Sequence, residues 1–188
     1  MQNLAQRILS SIRVIILGIG DGLVSSLGVV TGIAEGTEDR FVVILSGIIV
    51  ALVEALSMAA GTYLSDKSAK EAHVVEETDF LPHKRNELHD IDKANPVKNA
   101  VLMYLANTAG GAIPVLPYFF LPVREAMPIS VAMAITTLFV VGAEKGKLTR
   151  TNPLRSGLEM ALVSTAAASL GFLIGRIAST VFPNIKIQ

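Results

Sequence analysis

Two carboxylates and one thioether stand in stretches that otherwise read as hydrocarbon. Asp21 lies inside the apolar run Val14–Ile33. Glu54 lies inside Phe41–Leu64, with Met58 four residues after it. An ionised side chain at the centre of a bilayer costs about 3 kcal/mol on insertion scales and more on an isolated helix. Residues of this kind mark an ion or proton path, or they tie a helix bundle together through hydrogen bonds. Carboxylate oxygens alone suit hard divalent cations such as Mg²⁺, Ca²⁺ or Mn²⁺, and an added thioether tilts the choice toward a softer ion such as Fe²⁺. Met58 also has a plain packing role open to it, since methionine fills gaps between helices.

Depth makes a shared site reasonable. At about 1.5 Å per residue, Asp21 sits about 10 Å from the near end of its span. A second span running back the other way puts Met58 about 9 Å and Glu54 about 15 Å from that same end. Ser57, Met58 and Gly61 follow Glu54 by three, four and seven residues and so share its helical face. Asp21, Glu54 and Met58 are therefore the primary metal-ligand candidates, with Ser57 secondary.

The residues around Asp21 suggest how it is positioned. Gly18, Asp21, Ser25, Gly28 and Gly32 are spaced 3, 4, 3, 4, which puts them on one heptad-like seam of small and polar side chains. Small residues let membrane helices approach closely, so the seam predicts a tight helix contact. A sharper alternative is that two copies meet there across a two-fold axis and enclose a polar path. Five helices are few for a self-contained pore, and two-fold dimers are the commonest oligomers. A homodimer is the expectation.

The elements that hold these groups are membrane spans. The chain has 188 residues, of which 51% are hydrophobic and 17% charged, with a mean hydropathy of +0.54. Soluble domains carry roughly a quarter charged residues. The fold class is an all-α integral membrane protein with five transmembrane helices per protomer, at about 14–33, 41–64, 97–121, 127–142 and 157–182. These form a single membrane domain over 1–188, with a charged, partly helical loop at 65–96. Cysteine is absent, so disulfides and thiolate metal sites are excluded. Net charge is zero, which gives no electrostatic case for nucleic acid. The sequence offers no nucleophile and base pairing, and the glycines of Gly18–Gly22 lie within a span rather than between strand and helix, so no enzyme is expected.

Basic residues orient the spans. Arg7, Arg13, Lys67, Lys70, Lys84, Arg85, Lys93, Lys98, Lys145, Lys147, Arg150 and Arg155 fall on one side of a five-span arrangement, against Arg40, Arg124, Arg176 and Lys186 on the other. The positive-inside rule then places the N-terminus in the cytoplasm. Leu4, Ile8 and Ile12 beside Arg7 and Arg13 fit either a basic amphipathic helix on that surface or a simple extension of the first span.

The 65–96 loop holds all three histidines, His73, His83 and His89. His73 with Glu77 and His83 with Glu87 are i, i+4 pairs, a spacing metal ligands use, and Glu71 lies nearby. Lys and Arg are interleaved throughout, as in a solvated charged segment. Glu159, beside Met160 near the mouth of the last span, is a further secondary candidate. Asn95-Pro96 and Asn152-Pro153 are matching helix starts 57 residues apart, and Met103/Met160 and Thr108/Thr165 recur at the same offset. A parallel internal repeat is conceivable. Gly110, Gly111, Pro114 and Pro117 should loosen the third span in its second half.

These residues resemble the vacuolar iron transporter (VIT) family. The likeness is carried by Asp21-Gly-Leu-Val-Ser-Ser-Leu-Gly-Val-Val-Thr-Gly32 and Glu54-Ala-Leu-Ser-Met-Ala-Ala-Gly-Thr-Tyr-Leu-Ser65, and also by Asn95–Ala100 and Gly110–Pro117. It covers nearly the whole chain. The resemblance implies a five-helix protomer, a homodimer with its path between protomers, and proton-coupled export of Fe²⁺ or Mn²⁺ from the cytosol. The family's intramembrane Asp falls on Asp21 and its Met on Met58. The family places a Glu two turns before that Met, where this chain has Val50. Glu54, one turn before it, is the candidate to supply the carboxylate at a shifted depth. Family members carry an acidic helical metal-binding domain in the loop that is shorter here.

The expectation is a metal/proton antiporter with no permanently bound cofactor. Fe²⁺ or Mn²⁺ is the transported ion, and the partners are a second copy, the lipid bilayer, the metal ions and protons. A passive divalent-cation channel and a non-transporting membrane scaffold are the alternatives. The short loop and the lack of a targeting segment lean toward a prokaryotic plasma membrane, or a vacuolar membrane in a eukaryote.

Overall fold

A computed structural model describes residues 2–79 and 95–181, with side chains at 11–71 and 95–181. Five helices carry it: α1 (Gln2–Thr37), α2 (Arg40–Asp79), α3 (Pro96–Val115), α4 (Val123–Leu148) and α5 (Pro153–Val181), with a 3-10 turn at Leu116–Phe119 after α3. α1, α2, α4 and α5 each contain a stretch of 26 to 32 residues long and apolar enough to cross a membrane, and α3 together with its 3-10 turn makes one of 24, Pro96–Phe119. At about 1.5 Å per residue even the shortest of these exceeds ~30 Å of hydrocarbon. Large apolar side chains such as Leu52, Leu56, Leu162, Leu170 and Ile174 point outward and are exposed. The buried positions are instead mostly small. In lipid there is no hydrophobic drive between helices, so close packing of small residues takes over.

α1 is the central strut. It packs most extensively on α3 and α5, while α2 leans on α3 and α4 on α5. Two helix pairs thus flank one central helix, with α3 and α5 parallel. Their starts are alike in detail. The Asn95 side chain accepts from the backbone of Val97 (3.1 Å) and Lys98 (3.3 Å), and Asn152 accepts from Leu154 (3.0 Å) and Arg155 (3.4 Å). Asn107 and Ser164, both fully buried, are also 57 residues apart. The weak sequence repeat therefore has a spatial counterpart on either side of α1.

Short links set this order. Glu38, with φ of 53°, turns the chain after α1. Asp39 then caps α2 by accepting from Phe41 (2.8 Å) and Val42 (3.1 Å). The N-terminal stretch is continuous with α1 rather than a separate surface helix. α3 stays helical through Pro114 and tightens into the 3-10 turn beyond Val115. Buried Ser26 and Ser130 donate to the carbonyls of Gly111 (2.7 Å) and Pro114 (2.6 Å) in this proline-interrupted stretch. The Arg40 guanidinium donates to the terminal carbonyls of Tyr118 (2.6 Å) and Phe119.

Candidate functional site

The α1 seam is divided between neighbours. Gly18 faces α3 within the same chain, where an added Cβ would lie 2.9 Å from the Ala106 Cβ. Gly28 and Gly32 edge against the backbone of α5. A Cβ on Gly175 would come within 2.1 Å of the Gly32 carbonyl oxygen, so this contact is backbone against backbone. At Gly18 the seam is a tight helix contact within the protomer. Gly18 points toward Met103 and Ala106, while Asp21, Ser25, Gly28 and Gly32 flank an open groove between α1 and α5.

That groove has two hollows sharing Val24. One, of about 690 Å³, runs from Arg13 and Lys145 past Leu17 and Gly20 to Asp21. The other, of about 870 Å³, continues past Ser25, Gly28 and Gly32 to Asp39, with Gly171 and Gly175 opposite. Asp21 and Ser25 thus stand in the wall of a channel-like depression along most of α1.

Behind this wall α1, α2 and α3 meet in a polar cluster. The Ser25 hydroxyl lies 2.5 Å from Glu54 Oε1 and 3.0 Å from the Asp21 carbonyl oxygen, so one proton serves two acceptors. Asn107 Nδ2 donates to Asp21 Oδ2 at 3.4 Å. Glu54 Oε2 and Asn107 Oδ1 are buried and have no hydrogen-bond partner. An unpartnered acceptor in a low-dielectric setting is costly. Here acceptors outnumber donors, and a carboxylate that is ionised only accepts. The chemistry such a cluster can do is hold a cation or take up protons.

The other sequence candidates take no part in this cluster's hydrogen bonds or fall outside the described residues. Met58 shares the Glu54 face and is half-buried; its carbonyl accepts from the Thr62 hydroxyl at 2.8 Å. Ser57 is exposed. Glu71 pairs with Lys67 at 3.7 Å, and Glu159 pairs with Arg155 at 3.1 Å, both on exposed surfaces. His73 and Glu77 lie on the last turns of α2, while His83, Glu87 and His89 fall outside the described residues. Among the described residues no three His, Asp or Glu side chains come together as a metal-binding group.

Two residues gain roles the sequence did not assign. Ser25 read as a seam residue and is also the donor to Glu54. Asn107 belongs to no spacing pattern in the sequence, although a lone amide deep in an apolar span is a signal of the same kind as Asp21. Nearer the Asn95 end of α3, Asn99 donates to Asp66 of α2 at 2.7 Å and fixes those two helices at the start of the bundle.

The VIT family matches this chain over residues 12–79 and 72–176. An uncharacterized protein of Methanocaldococcus jannaschii is 30% identical over 170 residues, covering 88% of each chain. Vacuolar iron transporter 1 of Arabidopsis thaliana is 24% identical over 213 aligned positions, covering 88% of this chain and 85% of its own. Vacuolar iron transporter 1 of Tulipa gesneriana is 23% identical, covering 90% and 88%. An alignment of 213 positions exceeds the 188 residues here, so the Arabidopsis protein carries inserted segments that this chain lacks.

Proposed function

The chain belongs to the VIT family, and from that premise we propose that it exports Fe²⁺, and also Mn²⁺, from the cytosol in exchange for protons. The single observation that carries the reading is the polar cluster in which the Asp21 carboxylate, in the groove wall, accepts from Asn107, while Ser25, one turn on and back-bonded to the Asp21 backbone carbonyl, donates to Glu54. Each carboxylate can bind a divalent ion or a proton, which is the exchange an antiporter needs. Met58, one turn along the Glu54 face, adds a soft donor that favours Fe²⁺ over harder ions.

The groove supports a two-fold homodimer. A second copy placed face to face along α1 closes the depression into a path, and doubles two carboxylates to four. The basic residues orient the Arg13 and Lys145 end toward the cytoplasm. Ions then enter from that side and meet Asp21 and Glu54 before the glycine-lined half. The membrane is a prokaryotic plasma membrane on this reading, in keeping with the archaeal relative.

Purified protein in liposomes tests it, with Fe²⁺, Mn²⁺, Co²⁺ and Zn²⁺ offered in turn and internal pH recorded. Antiport gives Fe²⁺ and Mn²⁺ movement coupled to opposite proton movement. Metal movement without proton coupling identifies a passive channel. No metal-dependent flux of either kind identifies a scaffold and overturns the proposal.

A further inference from the structure

We propose that Asn107 is the positioning residue for Asp21: its side-chain amide holds the carboxylate at the groove wall and offsets its charge while no cation is bound. This inference rests on the transport reading of the Asp21 and Glu54 pair.

Three observations carry it. Asn107 is fully buried, and its Nδ2 is the side-chain donor to Asp21 among the described residues. No Lys or Arg pairs with Asp21 among those residues. Arg13 and Lys145 share its hollow, but Arg13 is eight residues away, about 12 Å along a helix. Finally, the backbone of Asn107 is pinned. A Cβ on Gly22 would lie 2.2 Å from the Asn107 carbonyl oxygen, and one on Gly18 would lie 3.2 Å from its backbone nitrogen. α1 and α3 touch closely at this level, so the Asn107 backbone is held beside Asp21, and full burial restricts its side chain. A group held this rigidly presets the geometry of what it contacts.

A packing role alone does not account for an amide here. Leucine has the same branched shape and would leave no orphan atom, whereas Asn107 keeps Oδ1 buried and unpartnered. The amide is tolerated for what its N–H does to Asp21.

The titratable groups facing this position are few. α1 supplies Asp21, and α2 supplies Glu54 through Ser25. α3 offers Met103, Ala106 and Gly110 around it. α4 between Ala126 and Gly142, and α5 between Met160 and Gly175, carry no ionisable side chain. α3 itself carries Tyr104 three residues before Asn107, so a carboxylic acid substituted for the amide reports chiefly on Asp21 and Glu54, the acidic groups on the neighbouring helices. Protonated, it donates to Asp21 as the amide does. Ionised, it repels both carboxylates.

The experiment compares Fe²⁺ flux of wild type, N107D, N107L and D21N in proteoliposomes at about pH 5.5 and about pH 8, with thermal unfolding recorded for each. Relative to wild type at the same pH, N107D should be within about twofold at the lower pH and down about tenfold at the higher, and N107L down by about tenfold or more at both. A uniform structural defect would not give N107D this pH-dependent rescue. If D21N retains wild-type flux, the transport reading and this inference fall together. If D21N is silent while N107L and N107D match wild type at both pH values, Asn107 has no positioning role and only this inference falls. A folded N107D protein that is silent at both pH values also overturns it, because a restored donor would then not suffice. If N107L does not fold, N107D decides the matter, since it preserves the shape of the side chain.

Discussion

Along its length α1 meets its neighbours in two different ways. Toward its C-terminal end, Gly28 and Gly32 lie against Gly171 and Gly175 of α5, backbone on backbone, with the Glu35–Arg176 ion pair (2.8 Å) beside them. About two turns earlier, Asp21 and Ser25 meet Asn107 and Glu54, and two acceptor atoms are left buried without a donor. The first contact is what close packing in lipid favours and requires no further explanation. The second is poor packing by that standard. A cluster that costs stability and has surplus acceptors is the place to look for an ion, and the glycine contact beside it supplies the rigid wall.

The contrast can be broken at either region. The largest structural effect should come from Gly175→Leu. A Cβ alone would lie 2.1 Å from the Gly32 carbonyl oxygen, so α5 must move away from α1. Overpacking of this kind costs about 3 kcal/mol, read as a lower unfolding temperature in detergent. An unchanged unfolding temperature would show that the two helices are not held as described. Ser25→Ala should act in the opposite sense, with stability altered by only about 1 kcal/mol and Fe²⁺ flux reduced about tenfold because Glu54 loses its donor. Flux at the wild-type rate would separate Glu54 from the site. Met58→Leu conserves volume, so stability should change by less than about 1.5 kcal/mol. The expected effect is a lower Fe²⁺ rate relative to Mn²⁺, and an unaltered ratio in a competition assay would return Met58 to a packing role. Smallest of all, Glu159→Gln removes an exposed pair with Arg155 and should change stability by about 0.5 kcal/mol or less and leave flux alone. A clear fall in flux would extend the site to α5.

The difference between the two regions also explains what the sequence could disclose. The five spans are legible because lipid demands long apolar runs and tolerates few charges. Helix ends are less so. α4 runs from Val123 to Leu148, beyond the apolar stretch 127–142, because Glu125, Glu144 and Lys145 end the hydropathy signal without ending the helix. Asp21 and Glu54 stand out in sequence as charges in hydrocarbon. The hydrogen bond from Ser25 to Glu54 does not, since a hydroxyl spaced with glycines reads as a packing residue until α2 is placed beside it. Asn107 stands out as an amide in an apolar span, but its pairing with Asp21 does not. Its meaning lies in the 3.4 Å to Asp21, a contact between residues 86 apart in the chain. The seam itself was only half readable, because periodicity assigns residues to a face but cannot say which neighbouring helix covers it. The structure gives Gly18 to α3 and leaves Asp21 and Ser25 on the groove.

The most direct test is Fe²⁺ flux through D21N and E54Q proteins in proteoliposomes, beside wild type and with folding checked by thermal unfolding. Each change keeps the shape of the side chain and removes its ability to hold a cation as a carboxylate. Both proteins should fold and carry at most about one hundredth of the wild-type flux. Wild-type flux through either variant would contradict the account, because the ion would then cross without the carboxylate placed at the centre of its path.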